Sequence, residues 1–161
     1  MLVVLVVVCF AVLAMAWRIW SRGAPVADSM RPNLVRVEKE LSRLDPWSFQ
    51  LLPGREFGAD HVVVGTTGAF AIKVASGSGT VSVAAARRAA KRLRRRLGSA
   101  AYHGGVHALL CVDGSVLPRT VHGVRVVPRS LVVKEVAERT RTAQPHQVQR
   151  VAETLTRRAV R

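Results

Sequence analysis

Apolar residues along this chain follow two different spacings, and these predict both helices and strands. Positions 34, 37, 41 and 44 are apolar with charged residues between them, which is typical of a helix that ends at Asp45-Pro46. Short apolar runs bounded by Gly, Pro or Asp predict strands instead. These runs cover residues 49–52, 61–64, 69–74, 107–112 and 121–127, and Val81 and Val83 predict one further short strand.

Three further segments predict helices. Residues 84–97 are rich in Ala, Leu and Arg, which are strong helix formers. Residues 131–139 are a shorter helical segment, although their valines also fit a strand. Pro145 suits the start of another helix, whose apolar stripe is Val148, Val151, Ala152, Leu155 and Ala159. The order α-β-β-β-α-β-β-α predicts an α/β (α+β) domain in which helices flank a mixed sheet.

The N-terminal segment has the properties of a transmembrane helix. Residues 1–17 carry no charge, and Arg18 is the one charged residue up to position 20. Twenty helical residues rise about 30 Å, enough to cross the bilayer core. Trp17 and Trp20 suit the membrane interface, and basic residues follow. We therefore expect a transmembrane helix over 1–20, a juxtamembrane linker over 21–29 and a folded domain over 30–161.

Two other interpretations of this segment remain. Ala14-Met15-Ala16 imitates the cleavage site of a signal peptide, but no positive charge precedes the apolar run. A buried core helix is the third interpretation, and so continuous a run of Val and Leu is unusual for one. If the segment is an anchor, the basic residues after it place the N-terminus outside and residues 21–161 in the cytoplasm. The expected location is then the cell inner membrane or plasma membrane.

The charge balance favours partners that are polyanions. The chain holds 25 Lys and Arg against 10 Asp and Glu, a net charge of +15, and its pI is about 11.7. Nucleic acid and anionic lipid surfaces both attract such a protein. The two cysteines, Cys9 and Cys111, lie in the N-terminal segment and in a predicted core strand, so no disulfide is expected and a reducing compartment fits.

One predicted helix concentrates this charge and is the candidate surface for nucleic acid or lipid. Within ten residues it carries seven cations and no acid: Arg87, Arg88, Lys91, Arg92, Arg94, Arg95 and Arg96. Ala86, Ala89, Ala90, Leu93 and Leu97 leave an apolar seam that can pack on a sheet. Repulsion between like charges on neighbouring turns would be relieved by a polyanion. The plainer alternative is a solvated helix face without a partner.

The most informative motif is a hairpin. Asp60 opens an apolar strand, Thr66-Thr67-Gly68 forms a turn, and a second apolar strand ends in the glycine- and serine-rich residues 77–79. It resembles the nuclease-related domain (NERD) family, whose members typically read iDHvvvGptGvfvIExK…G, and residues 60–72 follow that pattern. The resemblance continues through the basic helix, the strand 108–112, the block 117–128 and the C-terminal helix, from about Pro32 onwards.

The resemblance implies a restriction-endonuclease-like fold and a metal-dependent nuclease ancestry. In such nucleases the second strand carries Glu-x-Lys, whose side chains share one face because a strand alternates with period two. Here Lys73 stands at the Glu position and Ala75 at the Lys position, while Asn33-Leu34 stand where the family has Gly-Glu. Asp60 is the one family site residue that carries over.

Loss of these residues removes what metal catalysis requires. Holding Mg²⁺ through oxygen takes at least two carboxylates, and the ammonium of Lys73 would repel the ion. The simplest role for Asp60 and Lys73 is a cross-strand ion pair. An alternative is an Mg²⁺-dependent DNA nuclease in which Glu56 supplies the second carboxylate. The leading interpretation requires no cofactor.

Other chemistry finds little support in the sequence. No metal-ligand spacing links His61, His103, His107, His122 and His146, and residues 77–79 lack the Lys-Ser/Thr of a phosphate-binding loop. Aromatic residues make up 5% of the chain, too few to predict a base-stacking surface. No small-molecule substrate is indicated. We expect a membrane-anchored, catalytically inactive module that binds nucleic acid or anionic lipid; a purely structural membrane protein is a further alternative.

Overall fold

A six-stranded mixed sheet forms the centre of the domain in the computed structural model, which describes residues 31–75, 80–98, 102 and 104–159. One-turn 3-10 helices occur at Arg55–Phe57 and Arg129–Leu131. The main elements, in chain order, are α1 Arg31–Leu41, β1 Phe49–Pro53, β2 His61–Gly65, β3 Gly68–Ala75, α2 Thr80–Leu97, β4 Val106–Val112, β5 Arg119–Val121, β6 Val124–Pro128, α3 Val132–Ala137 and α4 Pro145–Ala159.

The strands follow the order β1-β2-β3-β4-β6-β5. Neighbours β1, β2 and β3 pair antiparallel, and β5 pairs antiparallel with β6. The central strands β3, β4 and β6 run parallel to one another, and α2 provides the crossover between β3 and β4. The prediction of a mixed sheet flanked by helices is confirmed.

Each face of the sheet has its own apolar core because side chains alternate along the strands. On the first face, α2 and α4 pack over small residues of β3, Ala69, Ala71 and Ala75. The second face carries the larger residues Phe70 and Ile72, which pack with residues of α1 and α3. Alanines on the first face leave room for the alanine-rich seam of α2 to approach the strand.

Two details of the predicted elements are wrong. Val81 and Val83 do not form a strand, since α2 begins at Thr80 and includes both. Here the helix formers that follow override the strand preference of two valines. The predicted strand 121–127 is divided into β5 and β6 by a tight turn. His122 and Gly123 in that turn have φ of 49° and 77°, the left-handed conformation that two-residue hairpin loops favour.

The predicted transmembrane helix (1–20) and linker (21–29) lie outside the residues that the structure describes. Within the described ranges, no helix combines the length and the apolar character that a membrane span needs. The described residues after Arg31 belong to one compact unit of the chain.

Candidate functional site

Asp60 and Lys73 lie directly opposite each other at the start of the β2–β3 hairpin. His61 pairs with Ile72, and the Asp60 N–H continues the ladder by donating to the Ile72 carbonyl at 2.9 Å. This register places Lys73 Nζ 2.7 Å from Asp60 Oδ1. The cross-strand ion pair that the sequence allowed is therefore present.

The second oxygen of this carboxylate is also engaged. Asp60 Oδ2 accepts a hydrogen bond of 2.7 Å from the backbone N–H of Val74. The side chains of Lys73 and Asp60 are only 24% and 19% exposed, so water screens the pair less than it would at the surface. Both oxygens of the family-matched carboxylate thus serve to hold the hairpin together.

The neighbouring position of the family motif is occupied by a small apolar side chain. Ala71 and Ala75 belong to the core of the first face, and Lys73 lies between them along β3. Positions 73 and 75 therefore do share the face on which α2 packs, as strand alternation predicts. Ala75 is 2% exposed and offers only a methyl group where the family has a lysine. The position that the resemblance assigns to a lysine therefore carries no charge.

Glu56, the other candidate carboxylate, has an exposed side chain. It lies in the 3-10 turn Arg55–Phe57 and makes no hydrogen bond or ion pair with any residue that the structure describes. Within the same residues, no group of three His, Cys, Asp or Glu side chains is placed to hold a metal ion. One carboxylate whose oxygens face an ammonium and an amide does not fit Mg²⁺, which requires several free oxygen ligands.

The seven cations of α2 all lie on its exposed side. Ala86, Ala89, Ala90 and Leu93 are buried, and Leu97 is half-buried, so the predicted seam does pack on the sheet. Arg94 donates from Nη2 to the Val106 carbonyl at 3.2 Å. Five of the other cations form no hydrogen bond or ion pair with the described part of the chain: Arg87, Arg88, Lys91, Arg92 and Arg95.

The basic helix lies next to the loop that leads to Asp60. A Cβ on Gly58 would lie 2.7 Å from Arg92 Nη1, so the guanidinium covers this glycine closely. Gly58 also has a φ of 69°, which favours glycine for a second reason. Phe57 and Leu93 belong to the same buried core. The structure therefore brings the cationic surface beside the loop that precedes Asp60.

A polar cluster on the second face was not predicted from the sequence. Glu135 accepts hydrogen bonds from Arg139 at 2.8 Å and from Arg125 at 3.1 Å. Arg139 Nη1 also lies 3.2 Å from His107 Nδ1, and its guanidinium is 5.6 Å from the Phe70 ring centre. Glu135 and Arg139 are only four residues apart, whereas His107 and Phe70 are distant in the chain and reach Arg139 through the pairing of β3 with β4.

His107 is held in its neutral form in this cluster. Burial lowers the pKa of its imidazole, and the adjacent charges of Arg139 and Arg94 lower it further. Because a guanidinium can only donate, Nδ1 must accept and the proton belongs on Nε2. The cluster is best explained as a fixed polar contact between β4 and the segment after α3.

Two other groups that carry reactive chemistry in some proteins are inert here. Burial raises the pKa of the Cys111 thiol to about 12, so it stays protonated and is a poor nucleophile. Burial likewise raises the pKa of Tyr102 to about 12, and its hydroxyl donates a hydrogen bond to the Gly65 carbonyl. His61 is buried, and its Nε2 has no hydrogen-bond partner among the described residues.

The described chain thus presents an ion-paired hairpin with an exposed cationic helix beside it. Comparisons of the chain with protein-family models, with curated proteins and with solved structures found no match.

Proposed function

We propose that this protein is a NERD-like domain of restriction-endonuclease-like fold that has lost catalysis and binds polyanions through α2. The observation that carries the proposal is the outer side of α2, where five cations have no partner among the described residues. A domain that needed only solubility would gain as much from charges of mixed sign. A single-signed helix face instead creates a strong local field that attracts negative charge.

The energetics of this helix favour a polyanionic partner. Cations three and four residues apart, such as Arg88 and Arg92, destabilise a helix by a few tenths of a kcal/mol per pair, roughly 0.2–0.5. Phosphate groups remove this repulsion and release condensed counterions, which supplies most of the free energy of non-specific binding. The apolar seam packs the helix against the sheet, so the cations can bind a partner while the helix stays folded.

Loss of catalysis is supported by the contacts of Asp60. Its Oδ1 is 2.7 Å from Lys73 Nζ, and its Oδ2 accepts the Val74 N–H. A divalent ion would have to displace both contacts and approach an ammonium. Cleavage of DNA that depends on Mg²⁺ and is lost in Asp60→Ala would instead support the alternative, an Mg²⁺-dependent nuclease that uses Asp60 and Glu56.

The proposed setting is the cytoplasmic surface of the membrane, with residues 1–20 as a single-pass anchor. Support comes from the uncharged apolar run and from the arginines that follow it. At such a surface anionic headgroups are accessible as well as nucleic acid, and each basic residue near them contributes about 1 kcal/mol to binding.

A reporter fused to the C-terminus should be active in the cytoplasm. Labelling of that end from outside intact cells would contradict this orientation.

Binding of duplex DNA by the full chain in phosphatidylcholine nanodiscs tests the polyanion proposal. If four or five cations contact phosphate, log affinity should fall against log salt with a slope of roughly −4. Affinity should then drop about 250-fold between about 50 and 200 mM salt. Replacing Arg88, Arg92 and Arg95 by Gln should flatten the slope by about 2–3. The measurement is fluorescence anisotropy across a salt series.

A control variant separates the helix from total charge. Arg36, Arg141 and Arg150 are exposed and lie outside α2, and replacing these three by Gln removes the same charge. For this control, the slope of log affinity against log salt should differ from that of the parent protein by less than about one. Vesicles rich in anionic lipid should compete with DNA for the parent protein. Equal effects of the two triple variants, or binding that ignores salt, would show that α2 is only a solvated face.

A further inference from the structure

The first face of the sheet is covered unevenly. Helix α4 packs on β1 and β2, while α2 packs mainly on β3 and β4. Helix α2 also contacts β6, but less extensively than it contacts β3 and β4. A groove with a cavity volume of about 770 Å³ lies between the first turns of α2, the end of β4 and this hairpin. Ligand pockets typically measure about 300–1,000 Å³, so the groove is large enough for a small molecule.

The floor of the groove is aliphatic. Leu110 and Val112 of β4, Val121 of β5 and Val126 of β6 form it. The described residues that line the groove include no Phe, Tyr or Trp, so it offers no surface on which a base could stack. An alkyl chain matches this floor, because it gains from apolar contact without any requirement for aromatic partners.

The rim of the groove is cationic. Arg87, Arg88 and Arg119 line it, are exposed and make no hydrogen bond or ion pair with the described residues. Asp113 also lines it, but Arg129 Nη1 lies 3.0 Å from its Oδ1 and balances its charge. An anionic group at the rim would therefore meet three guanidinium groups that no described residue compensates, and guanidinium binds carboxylate and phosphate in a bidentate manner.

We propose that this groove binds a single-chain amphiphilic anion, with the alkyl chain on the valine and leucine floor and a carboxylate or phosphate head on the arginine rim. The proposal does not depend on the polyanion function, although Arg87 and Arg88 belong to both surfaces. A peptide fits less well, because β5 has only three residues and its edge can offer few backbone hydrogen bonds.

Calorimetric titration of alkyl phosphates into the full chain in phosphatidylcholine nanodiscs, with empty discs subtracted, tests the proposal. Octyl phosphate should bind more tightly than hexyl phosphate, by about fourfold for each added methylene. Inorganic phosphate should bind at least tenfold more weakly than octyl phosphate. Arg119→Gln should weaken octyl phosphate by about tenfold or more, because it removes a charge-assisted hydrogen bond.

Two adjacent residues provide a matched pair of variants. Val116 is half-buried and lines the groove, while Leu117 is 85% exposed and does not. Val116→Asp should lower the affinity for octyl phosphate at least tenfold. Leu117→Asp should change this affinity less than about twofold, because solvent screens its charge. Equal effects of the two variants, or equal affinities for phosphate and octyl phosphate, would overturn the proposal.

The same variants distinguish this proposal from the polyanion function. Arg119 lies on β5, so Arg119→Gln should leave the DNA salt slope unchanged while it weakens octyl phosphate. If DNA binding proves insensitive to salt but alkyl phosphate affinity still rises with chain length, the groove assignment stands alone. If Arg119→Gln leaves octyl phosphate affinity unchanged, the rim assignment is wrong whatever the DNA result.

Discussion

Phe70→Ala will lower the free energy of unfolding by about 3–5 kcal/mol, the cost typical of removing a large buried aromatic side chain. Phe70 is fully buried in the core of the second face, where it packs with residues such as Ile72 and Leu109. Its ring also lies 5.2 Å from the His107 ring and beneath the Arg139 guanidinium. Alanine would leave a cavity bounded by apolar side chains and by a partly buried polar cluster.

Urea unfolding of the full chain in a non-ionic detergent, followed by circular dichroism, measures this loss. The midpoint should fall by roughly 2 M urea if the m-value is near 2 kcal/mol/M. Trp47→Ala is the matched control, because Trp47 is aromatic but 72% exposed. Its effect should stay within about 0.5 kcal/mol. A Phe70→Ala variant as stable as the control would mean that the second face is not a close-packed core.

Lys73→Glu will make the stability of the domain depend on Mg²⁺. Without metal, the change removes the ion pair and sets a second carboxylate directly opposite Asp60. We expect a loss of about 1–3 kcal/mol, between the values for exposed and buried pairs. Two facing carboxylates can share a divalent ion, and Mg²⁺ at about a hundred times its Kd would return about 2.7 kcal/mol. The parent protein should not respond, because an ammonium occupies this position.

Thermal unfolding with and without Mg²⁺ at matched ionic strength gives the comparison. Lys73→Gln is the control: it also breaks the ion pair but adds no carboxylate, so it should be destabilised without any rescue by metal. If Mg²⁺ stabilises the parent protein as much as Lys73→Glu, then the parent site already holds metal and the nuclease alternative gains support. If Mg²⁺ stabilises neither, Asp60 and position 73 do not form a metal site even with a glutamate at position 73.

The sequence predicted the hairpin well because its two strands are continuous apolar runs separated by a short turn. The short turn also fixes how the two strands pair, so the sequence indicated that Asp60 and Lys73 would lie opposite each other. The sequence-based prediction failed at Val81. The strand preference of this valine is weaker than the helix preference of the residues that follow it. The groove and the contact of His107 with Arg139 could not be predicted, because both depend on which strands become neighbours. Nothing in a single sequence states that β6 lies between β4 and β5.

The hydrogen bonds between the hairpin turn and the segment before α4 affect when the hairpin is covered during folding. The Thr66 carbonyl accepts hydrogen bonds from the N–H groups of Thr142 and Ala143, at 2.7 and 3.0 Å. Val148 and Leu155 of α4 then cover the first-face side of β2. During synthesis these partners emerge from the ribosome well after the hairpin, and such long-range contacts form slowly. Until α4 arrives, a nascent chain carries an uncovered apolar face on β1 and β2.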